Sequence, residues 1–506
     1  MFLQRIQVPN FRALKDVDIT FEPEFSPRIF PLGSLNGGGK STLLQLIFIL
    51  LSCSADPDKH IYIKNLLDRF EIDEDKTEEL LAKICLFNPE NNQDIELDFI
   101  CHKNEISLRE NDTLNEVKSI SNINLAFSVI GLEKKVKEEI LLLKNKIKDL
   151  EKKQIEIDNI QIIKDIDERK EVIAEEVKNA RSGSLGLFIL KFFKLPQHST
   201  AKVDLDSIKL KVVARELKIR IKNTKIDFDK KQTEQEEIKI ALDTISTYLR
   251  NKNFLYICNS TNRNDVGTKK EYALLCRSDQ LEKIETDNLL KQLSNKVFLA
   301  APFTQIFLFL PKDKTKLIFK GSYNKSGYYS SLEESKRNLP NLFTYDILST
   351  DYIINFLKAS RDKDFKQVNE TGTYGDSYKT VLQALNSILD DKKINIDTDL
   401  SGVNFKVEQD GKMKELYPED FSHGELKRLS IYVWLKYKEI QNSIVLMDEI
   451  ENAFHPDWQY QIISDLAEWG ASNQFILATH SYELCQALTP AHVKELEPKL
   501  MKENQV

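Results

Sequence analysis

The run Asn36-Gly37-Gly38-Gly39-Lys40-Ser41-Thr42 combines residue types suited to one task, holding a chain of phosphates. Consecutive glycines let the backbone approach phosphate oxygens with no Cβ in the way, and the curled loop turns its N–H groups inward as an anion nest. Lys40 is expected to reach the β- and γ-phosphates, and the Ser41 hydroxyl to ligate Mg²⁺. The pattern G-x-x-x-x-G-K-[ST] carries Ser34 in place of its first glycine, with Gly33 one residue early. An apolar strand over 28–32 enters the loop and an apolar helix over 41–53 leaves it, so the positive helix end faces the anion. A glycine-rich turn that merely precedes a lysine would not bring that order. The cofactors expected are ATP and Mg²⁺.

Two further runs lie about 400 residues downstream. The apolar stretch 443–447 ends in Asp448 and Glu449, which reads as a parallel strand buried on both faces with acids at its C-terminal edge. Asp448 is expected to hold the metal shell and Glu449 to polarise the attacking water. The stretch 474–479 is a second such strand, and His480 at its end is placed to meet the γ-phosphate or the water. Ahead of both, Phe421-Ser422-His423-Gly424-Glu425 precedes a helix over 429–439. A hydroxyl, a glycine and free N–H groups at a helix start form an anion site. The same residues also make a capping box, with Ser422 as the cap and Glu425 three positions on.

Together with Met447-Asp448-Glu449-Ile450-Glu451-Asn452-Ala453-Phe454-His455-Pro456 and Thr479-His480, these motifs resemble the head of an ABC-type ATPase. The branch is the SMC/Rad50/RecF-like one, which includes ATPase subunits of bacterial anti-phage systems of the OLD, Septu and PARIS types. The N-terminal Ile6-Gln7-Val8-Pro9-Asn10-Phe11-Arg12 is similar to that branch's opening strand, with Arg12 near the nucleotide. The signature departs from the usual Ser-Gly-Gly at His423. The resemblance implies ATP sandwiched between two heads, with Ser422, Gly424 and Glu425 acting in trans on the nucleotide of a partner's Lys40, and residues 452–456 crossing the interface. It also implies a glutamine between metal and water. Gln305, in the apolar stretch 297–306, is the candidate, although a glutamine on a buried strand serves equally as a structural hydrogen-bonder.

The expected fold is α/β, a P-loop head split by an inserted antiparallel coiled-coil hairpin. Residues 1–130 and 251–506 form the head and 131–250 the insertion. Val136, Ile140, Leu143, Ile147, Leu150 and Ile157 make a heptad seam, answered by Ile238, Leu242, Ile245 and Leu249. The arms run over 132–181 and 204–250, each about 70 Å long at 1.5 Å per residue. The seam is poor over 160–177 and near 215, where breaks are expected. A helical subdomain folded back on the head is the alternative. The tip near 183–200 is apolar from Leu185 to Leu195, which marks either a contact surface or a self-buried cap. It has no cysteine pair for a Rad50-like zinc hook. Strands are expected over 82–108, helices over 342–389, and loop-like spacers over 259–269 and 312–340.

With 506 residues and a net charge of −7, composition singles out no acidic or basic partner. The basic stretch 209–231 suits duplex phosphates or a solvated face, so DNA stays open. Six dispersed cysteines without C-x-x-C, no leader-like start and no apolar run near ~20 residues lead us to expect a cytoplasmic protein without a membrane span. Only 25 residues follow Ser481, so no nuclease domain of the OLD kind is expected there. The partners expected are further copies through the heads and a separate effector, nuclease or toxin, for which this chain would be sensor or scaffold. A DNA-repair ATPase and a nearly inactive ATP-dependent binding module remain the alternatives.

Overall fold

The computed structural model describes the chain except for residues 35–36, 69, 108–123, 181, 183, 195–209, 264–268, 311–324, 346–349, 390, 398–401, 418–419 and 497–506. The chain divides into two compact units, Met1–Asn104 with Leu249–Val506, and Glu105–Tyr248. The second unit starts ahead of residue 131 because β6 (Glu105–Ser107) and β7 (Asn124–Ala126) pair only with each other.

The first unit is mixed α/β with two six-stranded sheets. One is antiparallel, in the order β2 (Leu14–Thr20), β1 (Phe2–Phe11), β4 (Glu78–Asn88), β5 (Gln93–Lys103), β9 (Lys269–Arg277), β8 (Leu255–Arg263). The other is parallel, in the order β11 (Leu342–Thr344), β10 (Val297–Ala301), β15 (Ile444–Asp448), β16 (Gln474–Ala478), β3 (Ile29–Gly33), β17 (Lys494–Glu495). Successive residues of the parallel strands alternate between two cores. Phe30, Leu32, Leu299, Leu446 and Ile476 enter one, while Ile29, Phe298, Val445, Met447 and Phe475 enter the other. Burial on both faces explains why these strands read as unbroken apolar runs.

Helix α1 (Lys40–Cys53) is buried along most of its length and shares the first core with residues of both sheets. The second core is closed by α9 (Thr350–Thr371), α10 (Ser377–Ile388), α11 (His423–Tyr437) and α12 (Pro456–Trp469). Gln474 ties the sheets together: its Oε1 accepts from Leu3 N and its Nε2 donates to Leu3 O, both at 2.7 Å.

Several expectations change. Residues 342–344 are a strand rather than helix, because they complete the parallel sheet beside β10. The presumed spacers hold structure: 259–263 lie on β8 and, beyond α7 (Lys283–Leu293), Lys325–Asn338 is helix α8. Residues 392–416, in which Ile394 and Ile396, and Val403, Phe405 and Val407, alternate with polar residues, form a small antiparallel sheet of β12 (Lys392–Ile396), β13 (Val403–Gln409) and β14 (Lys412–Leu416). Among the described residues no helix is long and apolar enough to cross a membrane. All six thiols are free, five of them buried, and burial pushes Cys53 and Cys258 up to about 12, so these two are unreactive.

In the second unit, α3 (Leu132–Ile162) stops and α4 (Ile166–Lys178) begins after a short break, within the stretch where the seam fails. Asp165 caps the new helix, accepting from Asp167 N at 2.8 Å and Glu168 N at 3.1 Å. Near Arg215 there is no break, and α6 runs unbroken over Leu210–Asn251. The ion pairs Glu151–Lys225 and Glu139–Lys231 set α6 antiparallel to α3. The apolar segment forms α5 (Leu185–Phe192), whose Leu185 and Ile189 are buried with Leu150, Ile157, Ile173, Val213 and Leu217. This corrects the contact-surface expectation for those residues. A Cβ on Gly186 would stand 1.9 Å from Glu176 O, so only glycine lets α5 lie this close to α4.

Candidate functional site

In the parallel sheet β10, β15, β16 and β3 are successive neighbours, so the segments leaving their C-terminal ends must converge. Those segments carry Gln305, Asp448–Glu449, His480 and the glycine loop. Residues brought together here are separated by as many as 440 positions.

Gly37 and Gly39 hold left-handed backbone, φ +80° and +89°, as an anion nest requires. Gly37 has open space where a Cβ would be, whereas a Cβ on Gly39 would meet Leu14 Cδ2 at 2.7 Å. Asn36 lies outside the described residues. Lys40 is only 7% exposed. Its Nζ lies 3.2 Å from Ser34 O, 3.0 Å from Ser34 Oγ and 3.0 Å from His480 Nε2. Burial lowers its pKa, opposed by Glu451, Asp448 and Glu449. Ser34, which breaks the consensus, thus supplies a hydroxyl to the lysine.

Ser41 Oγ donates to Asp448 Oδ1 at 3.0 Å. Asp448 is 2% exposed, and burial, with Glu449 and Glu451 nearby, pushes its carboxyl up to about 7 against the pull of Ser41 and Lys40. Thr42 follows Ser41 on the first turn of α1. Glu449 sits in left-handed backbone at φ 50°. Its Oε1 accepts from Gln305 Nε2 at 3.2 Å and its Oε2 from Asn452 Nδ2 at 2.7 Å. Gln305 is not on a strand: β10 ends at Ala301, and Pro302 leads into a one-turn 3₁₀ helix, Phe303–Gln305. Its carbonyl accepts from Gln45 Nε2 at 2.6 Å, one helical turn after Ser41.

Arg12 stands at φ 54° in the turn between β1 and β2. Its Nη2 donates to Leu66 O at 2.8 Å and Asn65 O at 3.3 Å, at the C-terminal end of α2 (His60–Leu66). The neighbouring Ala13 and Leu14, rather than the guanidinium, pack beneath Gly39.

At the signature, the capping box forms. Glu425 N donates to Ser422 Oγ at 3.2 Å, and Ser422 N to Glu425 Oε2 at 2.8 Å. Burial raises the Glu425 carboxyl, but Lys392 at 2.7 Å and the Ser422 groups outweigh it and leave it lowered. Gly424 allows a close approach, since a Cβ there would meet Ala453 O at 2.8 Å and the Trp458 ring at 3.2 Å. The exposed Ser422 and His423 stand at the helix start.

Three contributors escaped sequence reasoning. Buried Glu451 accepts from His480 N at 2.6 Å, tying the histidine to the acid strand's turn. Lys427, 1% exposed, donates to Glu449 O at 3.1 Å and Asn452 O at 3.0 Å, with its ammonium 4.0 Å from the Tyr345 ring centroid. Gln45 is the third. Its spacing of four from Ser41 on one helix face was the available signal; Lys427 gave none.

The residues fit Mg²⁺ and a nucleotide. Ser41 and Asp448 present two hard oxygens 3.0 Å apart, matching adjacent corners of an octahedron with bonds of about 2.1 Å. The carboxyls of Asp448, Glu449 and Glu451 outnumber the Lys40 ammonium among them, and burial with the neighbouring acids opposes ionisation of Asp448, which a bound cation would favour.

A phosphate nest, a buried lysine and strand-end acids along one parallel edge define a P-loop nucleotide-binding head. The chain belongs to the AAA ATPase domain family, whose model matches residues 1–485. No curated relative matches it. Similar solved structures include the Smc head domain with a coiled coil and joint from Pyrococcus yayanosii, at 11% identity over 96% of this chain and 94% of that one, with a TM-score of 0.31. Another is the Smc head domain with an extended coiled coil bound to the C-terminal domain of ScpA from Pyrococcus furiosus, at 13% identity, 96% and 91% coverage and a TM-score of 0.30. A third is an Smc head bound to the C-winged helix domain of ScpA, at 9% identity, 96% and 92% coverage and a TM-score of 0.34.

Proposed function

We propose that this chain is an ABC-type ATPase of the SMC/Rad50-like kind, which binds Mg-ATP, pairs through its heads and hydrolyses the nucleotide to ADP and phosphate. The observation that carries the reading is the convergence of Lys40, Ser41, Asp448, Glu449 and His480 at the ends of three adjacent parallel strands. The glycine loop and Lys40 bind the phosphates, with Thr42 and Asn36 beside them and Arg12 at the margin. Ser41 and Asp448 hold Mg²⁺, which neutralises phosphate charge when bound. Glu449 accepts the proton of the attacking water, and Gln305 orients both. His480 steadies the γ-phosphate end. Ser422, Gly424 and Glu425 complete the site of a second copy. Most of the rate comes from positioning and charge stabilisation.

The helical unit acts as a coiled-coil arm. On the resemblance of its motifs, the whole serves as cytoplasmic sensor or scaffold for a separate effector in anti-phage defence, with DNA a candidate partner. Light scattering of the wild type and Glu449→Gln, with and without Mg-ATP, tests the reading alongside phosphate release. ATP-dependent association that persists in Glu449→Gln without turnover, and disappears in Lys40→Ala, is expected. Normal hydrolysis by Glu449→Gln would remove Glu449 from its role.

A further inference from the structure

On α6 the buried and half-buried side chains recur every three or four residues, through Leu217, Ile221, Thr224, Ile238, Ile245 and Leu249. The position farthest from that seam is the most solvent-facing in each heptad and ordinarily carries a charge. On α3 it does so or is polar: Glu138, Asn145, Lys152 and Asn159. On α6 it holds Val212, Ile219, Ile226, Thr233 and Ile240, β-branched in five successive heptads. The four aliphatic ones are 44%, 45%, 42% and 55% exposed. The stripe is about 42 Å long at 1.5 Å per residue. One residue past Ile226, α6 and α3 border an open groove lined by Leu142 and Leu143 together with the charged Glu139, Asp227, Lys230 and Lys231. β-branched residues lower helix propensity, so nothing local favours them on an exposed face.

We propose that this outer face of α6 pairs with the same face of a second copy, antiparallel, with Ile226 on the twofold axis. Charge selects both occupant and direction. Between residues 211 and 225, α6 carries six cations and one acid; between 227 and 243 it carries six acids and three lysines. Parallel in-register pairing lays each half on its like, whereas antiparallel pairing lays basic on acidic. About Ile226, Val212 meets Ile240 of the second copy and Ile219 meets its Thr233. Along one edge, Arg215 faces the second copy's Glu236, and Lys222 its Asp229. On the other edge Asn223 faces the second copy's Lys230, and Glu216 faces its Glu237, a like-charge contact offset by the pairing of Glu216 with Arg220 of its own helix at 2.8 Å. In antiparallel helix pairs like edges face each other, so these matches arise from one twofold. The interface is separate from head pairing and needs no nucleotide.

The test uses the full chain carrying Lys40→Ala and Cys485→Ser, without nucleotide, so that neither head pairing nor the one half-buried thiol contributes. Under mild oxidation Ile226→Cys should form a disulfide dimer, and a mixture of Val212→Cys with Ile240→Cys a mixed dimer. Glu138→Cys serves as the background. In the Lys40→Ala chain, Ile226→Lys should weaken the dimer seen by sedimentation at least tenfold while the helical circular dichroism is kept. Val212→Cys linking to itself, Ile226→Cys linking no more than Glu138→Cys, or a monomer at all concentrations would each overturn the proposal.

Discussion

Asp448 offers a test of the site's electrostatics that needs no ligand. Its carboxyl titrates at about 7, raised chiefly by burial, while an unfolded aspartate titrates near 4. Between those values the folded chain holds the proton and the unfolded chain has lost it. The native state therefore binds more protons, and stability falls as pH rises from about 4 to about 7, then levels off. At 1.36 kcal/mol per pH unit, the full penalty is about 4 kcal/mol at pH 8 and about 1 kcal/mol at pH 5. Asp448→Asn keeps an oxygen acceptor for Ser41 but has no charge to desolvate. It should therefore be more stable than the wild type in EDTA by about 4 kcal/mol at pH 8, falling to about 1 kcal/mol at pH 5. All three tryptophans, Trp434, Trp458 and Trp469, belong to the core of the head unit, so urea unfolding followed by their fluorescence reports on the right part of the chain. Titrations away from the cluster of Lys40, Glu449 and Glu451, which feel the Asp448 charge, cancel in the difference between the two proteins. A gap that stays constant across pH would refute the reasoning, and so would a wild type more stable than the variant at pH 8 without metal.

Three other outcomes follow from contacts around Glu449. Lys427→Met removes the donor to Glu449 O and Asn452 O; it should cost about 2–4 kcal/mol by the same fluorescence and slow phosphate release. Gly424→Ala places a Cβ 2.8 Å from Ala453 O and should cost about 1–3 kcal/mol, more than Ser422→Ala, which loses only a helix cap worth about 1 kcal/mol. Glu451→Ala frees the His480 backbone and should lower turnover about tenfold or more with nucleotide binding retained, whereas Glu451→Gln keeps the acceptor and stays within a few-fold.

The parallel strands and the capping box were legible because both follow short-range rules. Residues 444–447 and 475–478 are apolar throughout since both faces are covered, and Ser422 with Glu425 at the third helical position leaves little choice of helix start. Gln305 was misplaced by four residues of backbone: the apolar run continues past Ala301, but Pro302 ends the pairing and turns the chain. The absence of a break at Arg215 shows that a weak seam alone does not end a helix. Asp165, which offers a cap, accounts for the break between α3 and α4. Lys427 was illegible in principle. Beside Arg428 it reads as surface charge, and only the fold of the Glu449–Phe454 turn over α11 buries it.

The second unit interrupts the chain without interrupting the sheets of the first, for a reason visible in the strand registers. The chain leaves the antiparallel sheet at Lys103, opposite Tyr272, and returns at Leu255, opposite Cys276. Those partners lie four residues apart on β9, about 13 Å along a strand. An excursion that starts and ends so close together adds only a slowly growing loop-closure cost whatever its length. The nucleotide site has the opposite character. Ser41–Asp448, Lys40–His480 and Leu3–Gln474 join residues 407, 440 and 471 positions apart, so neither end of the chain holds a site alone. Contacts of that range form late compared with hairpins and helices. The glycine loop therefore meets its acids only once the parallel sheet has closed, and a damaged sheet junction would abolish the site even with every motif residue present.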